Sequence, residues 1–137
     1  MALTPALIGA LMIGEHTDPF AVLGMHQEGD AWVVRALLPG AASVVLVDAR
    51  DGVLMAPMRR VGATGVFEAE VPAPFPYRLR IDWSGTPQDV DDPYRFGSLI
   101  GDTDAWLLAE GTHRRPYERM GAQLAEIDGV AGVSFAV

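Results

Sequence analysis

The sequence has no cysteine and no lysine. Without cysteine there is no disulfide, no thiolate metal site and no cysteine nucleophile. Ten arginines are its only Lys/Arg cations, and they face eighteen Asp and Glu residues, for a formal charge of −8. Such a surface repels phosphate backbones and anionic lipid, so a general nucleic-acid or membrane role is disfavoured. No apolar run is long enough to cross a bilayer. The most extended, Ala2 to Ile13, has about a dozen residues where a span needs ~20. No basic residue precedes that run and the next charges are Glu15 and Asp18, so it does not read as a signal peptide, and the cytoplasm is the expected compartment. Internal repeats and low-complexity tracts are also missing. The 137 residues are 50% hydrophobic and 20% charged, a balance that excludes intrinsic disorder and is enough for one well-packed domain.

Thr4-Pro5 reads as a cap and first helical residue, with Leu7, Ile8, Leu11 and Met12 on one face. Asp18-Pro19 predicts a second short helix carrying Phe20 and Leu23 and stopped at Gly24. From there to about Trp83 the period becomes two. Strands are expected over Ala31 to Leu38, Ser43 to Val47, Val53 to Met58, Val66 to Val71 and Tyr77 to Trp83. Asp51-Gly52 forms the turn between the second and third of these. In the last strand Tyr77, Leu79, Ile81 and Trp83 point inward, and Arg78, Arg80 and Asp82 outward. Turn clusters (Pro39-Gly40, Gly62, Pro72 to Pro76, Ser84-Gly85) recur every 8–12 residues or so, the pattern of an antiparallel β-sandwich. After Pro93 a helix is expected over Asp102 to Glu110, capped by Asp102 or Thr103, with Trp106 and Leu107 on its buried side. Another turn or two follows over Arg114 to Met120, ended by Gly121. Beyond Asp128-Gly129, Val130 to Val137 alternates like a strand that has no partner in the chain. The predicted class is mainly β with a few short helices.

Little in the chain supports an active site. Glycoside chemistry needs two carboxylates flanking a bond, one with a raised pKa. Glu68 and Glu70 share the solvent face of a strand, and Asp91-Asp92 before Pro93 is better read as a turn cap. His16, His26 and His113 are widely spaced and lack a His-Glu-x-x-His pattern, so no metal is expected. Gly62-x-x-Gly65 lacks the Lys-Ser/Thr of a phosphate loop, and there is no Gly-x-Ser-x-Gly elbow. Aromatic residues are the better candidates. Trp32, Trp83, Trp106 and Tyr94 could offer flat apolar faces to sugar rings, although large aromatics more often anchor cores. The six methionines read as gap-fillers.

Four ordered segments carry a resemblance: His16-Thr17-Asp18-Pro19-Phe20-Ala21-Val22-Leu23-Gly24-Met25-His26, Asp92-Pro93-Tyr94-Arg95-Phe96-Gly97, Ala109-Glu110-Gly111-Thr112-His113-Arg114-Arg115-Pro116-Tyr117-Glu118, and the tail from Asp128 to Val137. Together they resemble the N-terminal part of bacterial 1,4-α-glucan (glycogen) branching enzymes. The resemblance implies an immunoglobulin-like β-sandwich over 1–110, a connector over 111–126, and over 127–137 the first strand of a second, truncated sandwich of the family-48 carbohydrate-binding type. The catalytic (β/α)₈ barrel would follow, so no catalytic residue is carried over and this chain alone is expected to be inactive. No cofactor is implied. Two residues depart from the family pattern: Gln123 stands where a histidine is usual, and Pro116 replaces a more helix-compatible residue.

The whole enzyme cuts an α-1,4-glucan, holds the cut chain on a barrel carboxylate and passes it to a C6 hydroxyl. The first expectation is an accessory module that tunes the length of transferred chains by touching glucan (glycogen or maltooligosaccharide), with Trp32, Trp83, Trp106 and Tyr94 as its contact residues. Arg95, His113 and Tyr117 would then meet the downstream modules of the same chain. A second expectation is a purely structural packing module, which three buried indoles would favour. A third is a freestanding glucan-binding adaptor.

Overall fold

The computed structural model describes residues 3–15, 18–96, 102–118, 120–127 and 129–136, and of 102–105 the backbone alone. Ala2, His16, Thr17, Gly97 and Asp128 lie outside the described residues, as do the side chains of Asp102 and Thr103, the expected caps. The chain divides into two compact units, Met1–Arg95 and Phe96–Val137.

The first unit opens with helix α1 (Pro5–Met12), and it starts as expected: the Thr4 hydroxyl accepts from the Leu7 amide at 3.2 Å, with Pro5 in the first turn. Eight strands follow: β1 (Gly24–Glu28), β2 (Ala31–Leu37), β3 (Ser43–Asp48), β4 (Leu54–Pro57), β5 (Arg59–Arg60), β6 (Val66–Val71), β7 (Tyr77–Asp82) and β8 (Pro87–Val90). They form two antiparallel sheets, ordered β1-β2-β6-β5 and β4-β3-β7-β8. Alternation along β2, β3, β6 and β7 turns Val34, Ala36, Val44, Leu46, Phe67, Ala69, Val71, Tyr77, Leu79 and Ile81 into one buried cluster between the sheets. Each fully buried aliphatic side chain contributes roughly 1.5–3 kcal/mol. The fold is the antiparallel β-sandwich expected, with few short helices.

A second cluster is built from Leu11, Val22 and Leu23, with Leu3, Leu7, Leu37 and Tyr94 packed on it. Leu37 alternates with Ala36 along β2, so this cluster covers the outer face of the first sheet. The expected second helix shrinks to a single 3-10 turn, Pro19–Ala21, closed by the Val22 and Leu23 amides on the Pro19 carbonyl at 3.1 and 2.8 Å, and Val22 and Leu23 are buried. Gly24, at φ +88°, turns the chain directly into β1. The Asp-Gly hairpin joins β3 to β4 as expected, Gly52 taking φ +73°. The strand expected through Met58 instead ends at Pro57. Met58 is buried at the corner where the chain crosses from one sheet to the other. Strand β8 was not expected, because a proline start and the exposed Asp89 hide an edge strand from pattern reading.

The second unit holds helix α2 (Asp102–Glu110), a 3-10 turn at Pro116–Glu118, and strands β9 (Gly121–Ile127) and β10 (Val130–Ala136). Among the described residues of the helical stretch expected up to Met120, the helical turn is the 3-10 turn at Pro116–Glu118. The last strand is not unpartnered: β10 pairs antiparallel with β9 in a two-stranded hairpin, Leu124 opposite Val133 and Ala122 opposite Phe135. Its partner was missed because β9 lies in the stretch read as connector. Among the described residues no helix is long and apolar enough to cross a membrane.

Candidate functional site

The expected contact aromatics have different fates. Trp32 on β2 is half-buried, opposite Val71, and packs on the main cluster. Tyr94 sits in a 3-10 turn, Pro93–Phe96, half-buried on the second cluster, its ring edge-on to Phe20 with centroids 5.0 Å apart. These two belong to separate clusters. Trp83, expected inward, is 40% exposed. Alternation predicts a face only while a strand runs, and β7 ends at Asp82. There the Ala42 amide bonds the Asp82 carbonyl at 2.7 Å, and the Gly85 amide bonds its carboxylate at 2.6 Å. The chain therefore bends, and the indole stands at the tip of the β7–β8 hairpin. Trp106, expected on the buried side of α2, is 61% exposed. Leu107 and Leu108 are half-buried, so the covered stripe of the helix lies one residue further on. Among the described residues the ring pairs are Phe20–Tyr94 and Phe75–Tyr77, so no two of the four expected platform aromatics stack.

The residues expected at an interface are partly engaged locally. The Arg95 side chain is 8% exposed, its Nη1 donating to the Tyr77 carbonyl at 3.1 Å and to Asp91 Oδ1 at 3.3 Å. His113 is half-buried and its Nδ1 accepts from the Arg115 amide at 3.1 Å. Tyr117 is exposed, and its carbonyl accepts from Gln123 Nε2 at 2.6 Å. The same amide reaches the Met120 carbonyl at 3.1 Å, so Gln123 ties the 3-10 turn to the start of β9.

Of the acidic pairs singled out in the sequence, Glu68, Asp91 and Asp92 are engaged. Glu68 accepts from Arg35 at 2.9 Å and from Arg59 at 3.2 Å, while Glu28 takes the other side of Arg35 at 2.8 Å. Register explains part of this, since Glu68 lies opposite both Arg35 and Arg59. Hydrogen bonding to Arg35 holds the Glu28 carboxyl down at about 2. Glu68 is therefore an ion-paired strand residue, with the solvated role left to Glu70. Asp92 caps its turn as expected, taking the Tyr94 amide at 3.0 Å. It also does something the sequence did not reveal: buried, it accepts the Tyr77 hydroxyl at 2.5 Å. Sequence spacing carries no sign of that contact, although the inward-facing Tyr77 hydroxyl needed some buried partner. Among the described residues no group of three or more His, Asp or Glu is placed to hold a metal ion.

The first unit thus offers an exposed indole at Trp83, and the second unit, by itself, another at Trp106. Comparison with known proteins places the scaffold. Residues 4–94 match the family described as alpha-1,4-glucan branching enzyme GlgB, N-terminal domain. Among solved structures the chain is similar to the pullulanase from Bacillus acidopullulyticus, with 22% identity and a TM-score of 0.44 over 57% of this chain. It is also similar to the pullulanase from Paenibacillus barengoltzii in complex with maltohexaose and alpha-cyclodextrin, with 18% identity and a TM-score of 0.44 over 85% of this chain. The chain spans 10% of the first pullulanase and 21% of the second. By the match over residues 4–94, the chain belongs to the family of N-terminal domains of α-1,4-glucan branching enzymes.

Proposed function

We propose that this chain is an accessory module of a glycogen branching enzyme, touching α-glucan and tuning the length of the chains transferred, while carrying none of the bond chemistry itself. The observation that carries this reading is the exposure of Trp83 on the domain whose residues 4–94 match this family, with Trp106 exposed in the second unit. An indole held in water at a hairpin tip offers a flat apolar face on which a sugar ring can stack, with hydroxyls left to neighbouring polar groups. Weak contact suffices, because a millimolar site tethered to a catalytic domain acts through effective concentration. On this reading residues 127–137 open the following module, His113 and Tyr117 lie towards it, and the cytoplasm is the expected compartment.

Titration of the chain with maltoheptaose, followed through the three indole N–H signals by NMR, tests the proposal. Saturable movement of the Trp83 or Trp106 signal, with Trp32 unmoved, is the expected result. Silence of all three signals up to about 10 mM sugar, beyond the range of a useful tethered site, would sink it.

A specific observation favours a second reading, a module that only packs on its neighbours. One face of the β9–β10 hairpin exposes Leu124 (90%), Val133 and Phe135 (77%), an apolar surface of the kind that marks contact with another protein surface. Silent indoles would leave that reading standing.

A further inference from the structure

The motif Asp92-Pro93-Tyr94-Arg95 includes neither exposed indole, yet it carries a chain of protected polar contacts. Asp92 is 2% exposed. Its Oδ1 takes the Tyr94 amide at 3.0 Å and its carbonyl takes the Arg95 amide at 3.1 Å, which starts the 3-10 turn. Its Oδ2 accepts the Tyr77 hydroxyl at 2.5 Å. At the far end of the same segment Arg95 Nη1 donates to the Tyr77 main-chain carbonyl at 3.1 Å. The segment is therefore bolted at both ends to one residue of β7, once through its side chain and once through its backbone. Arg78, next along β7, adds a bond to Asp91 Oδ1 at 3.1 Å. Between the bolts, the Tyr94 ring rests on Phe20, and its carbonyl oxygen lies 2.8 Å from where a Cβ on Gly24 would stand.

None of these contacts belongs to a sheet ladder, because β8 ends at Val90. The boundary between the two compact units falls directly after Arg95. A segment with its own anchor, outside the ladders, can open locally while the sheets stay paired.

We propose that residues 91–95 are a strap, which opens and closes on the sandwich independently of its folding and is anchored on Tyr77. Closed, it fixes the point at which the chain leaves the first unit; open, it moves that point back to the end of β8 at Val90. Burial pushes both the Asp92 carboxyl and the Tyr77 phenol up towards their protonated forms, so the central hold is not a surface ion pair that salt would screen. The inference does not rest on glucan contact.

Trypsin reads the strap directly, since cleavage after Arg95 requires that arginine to leave Tyr77 and Asp91, whereas Arg114 is exposed and serves as an internal control. Tyr77→Phe removes one hydroxyl and keeps the ring. In the full chain it is expected to raise cleavage after Arg95 about tenfold relative to cleavage after Arg114, because cleavage tracks the population of the open form. Far-UV circular dichroism should be unchanged. An unchanged ratio, or an equal rise at both arginines, would overturn the strap. If Tyr77→Phe unfolds the sandwich, Asp92→Asn, which leaves Tyr77 intact and replaces one carboxylate oxygen by a donor, decides in the same ways.

Discussion

Asp48 shows how much one side chain settles at the smallest scale. Its carboxylate accepts from the Arg50 amide at 2.8 Å and takes the Arg50 guanidinium at 3.0 and 2.7 Å. Its backbone closes the same turn, the amide on the Val53 carbonyl and the carbonyl on the Gly52 amide. Hydrogen bonding to Arg50 holds the Asp48 carboxyl down at about 2, against an ordinary value of 3.8. A depressed carboxyl contributes stability that is present above its ordinary value and lost as pH falls towards about 2. Asp48→Asn is therefore expected to be less stable than the parent chain near neutral pH, with the gap closing towards about pH 2. Urea unfolding midpoints of both proteins across that range check it, and a gap that stays constant would refute it. Asp92 works in the opposite sense. Burial raises its carboxyl, so its contribution is largest in acid and declines as pH rises through the raised value. The Asp48 turn was legible in the sequence because its chemistry is local. The Asp92–Tyr77 bond was not, since it joins residues fifteen apart through the fold.

At the level of elements, β2, β3, β6 and β7 are read correctly, whereas β1, β5 and β8 are not among the expected strands. β7 alternates cleanly because Tyr77, Leu79 and Ile81 must leave water while Arg78 and Arg80 pair with acids outside. Trp83 shows the limit of that reading: the rule ends where the strand ends. β9 and β10 show another, since both faces of their hairpin remain partly wet and the β9 sequence, Gly121 to Ile127, carries no apolar alternation. Equal truncations in the two kinds of strand should behave differently. Leu46→Ala in β3 leaves a cavity in a closed core and is expected to cost about 3 kcal/mol. Leu124→Ala in β9 removes a side chain that is 90% exposed and should stay within ~0.5 kcal/mol. Chemical denaturation of the two variants, side by side, checks the contrast. A large loss at Leu124 would mean that the hairpin face is covered.

For the whole molecule, both hydrophobic clusters draw their residues from the first 94 positions. Residues 1–96 alone are thus expected to melt cooperatively with the strand signal of the sandwich retained, as circular dichroism of that shorter chain would show; a featureless melt would mean the second unit is needed for folding. The sequence by itself determined the β-sandwich, α1 with its Thr4 cap, the Asp-Gly hairpin and, through ordered motifs, the family. Each of these rests on local rules: alternation, turn chemistry, capping and motif order. Folding in three dimensions settles which indoles meet water, that β10 has β9 as partner, and that Asp92 and Arg95 both close on Tyr77. Those outcomes depend on where distant segments come to rest, and burial of a side chain depends on what covers it, which no local pattern encodes.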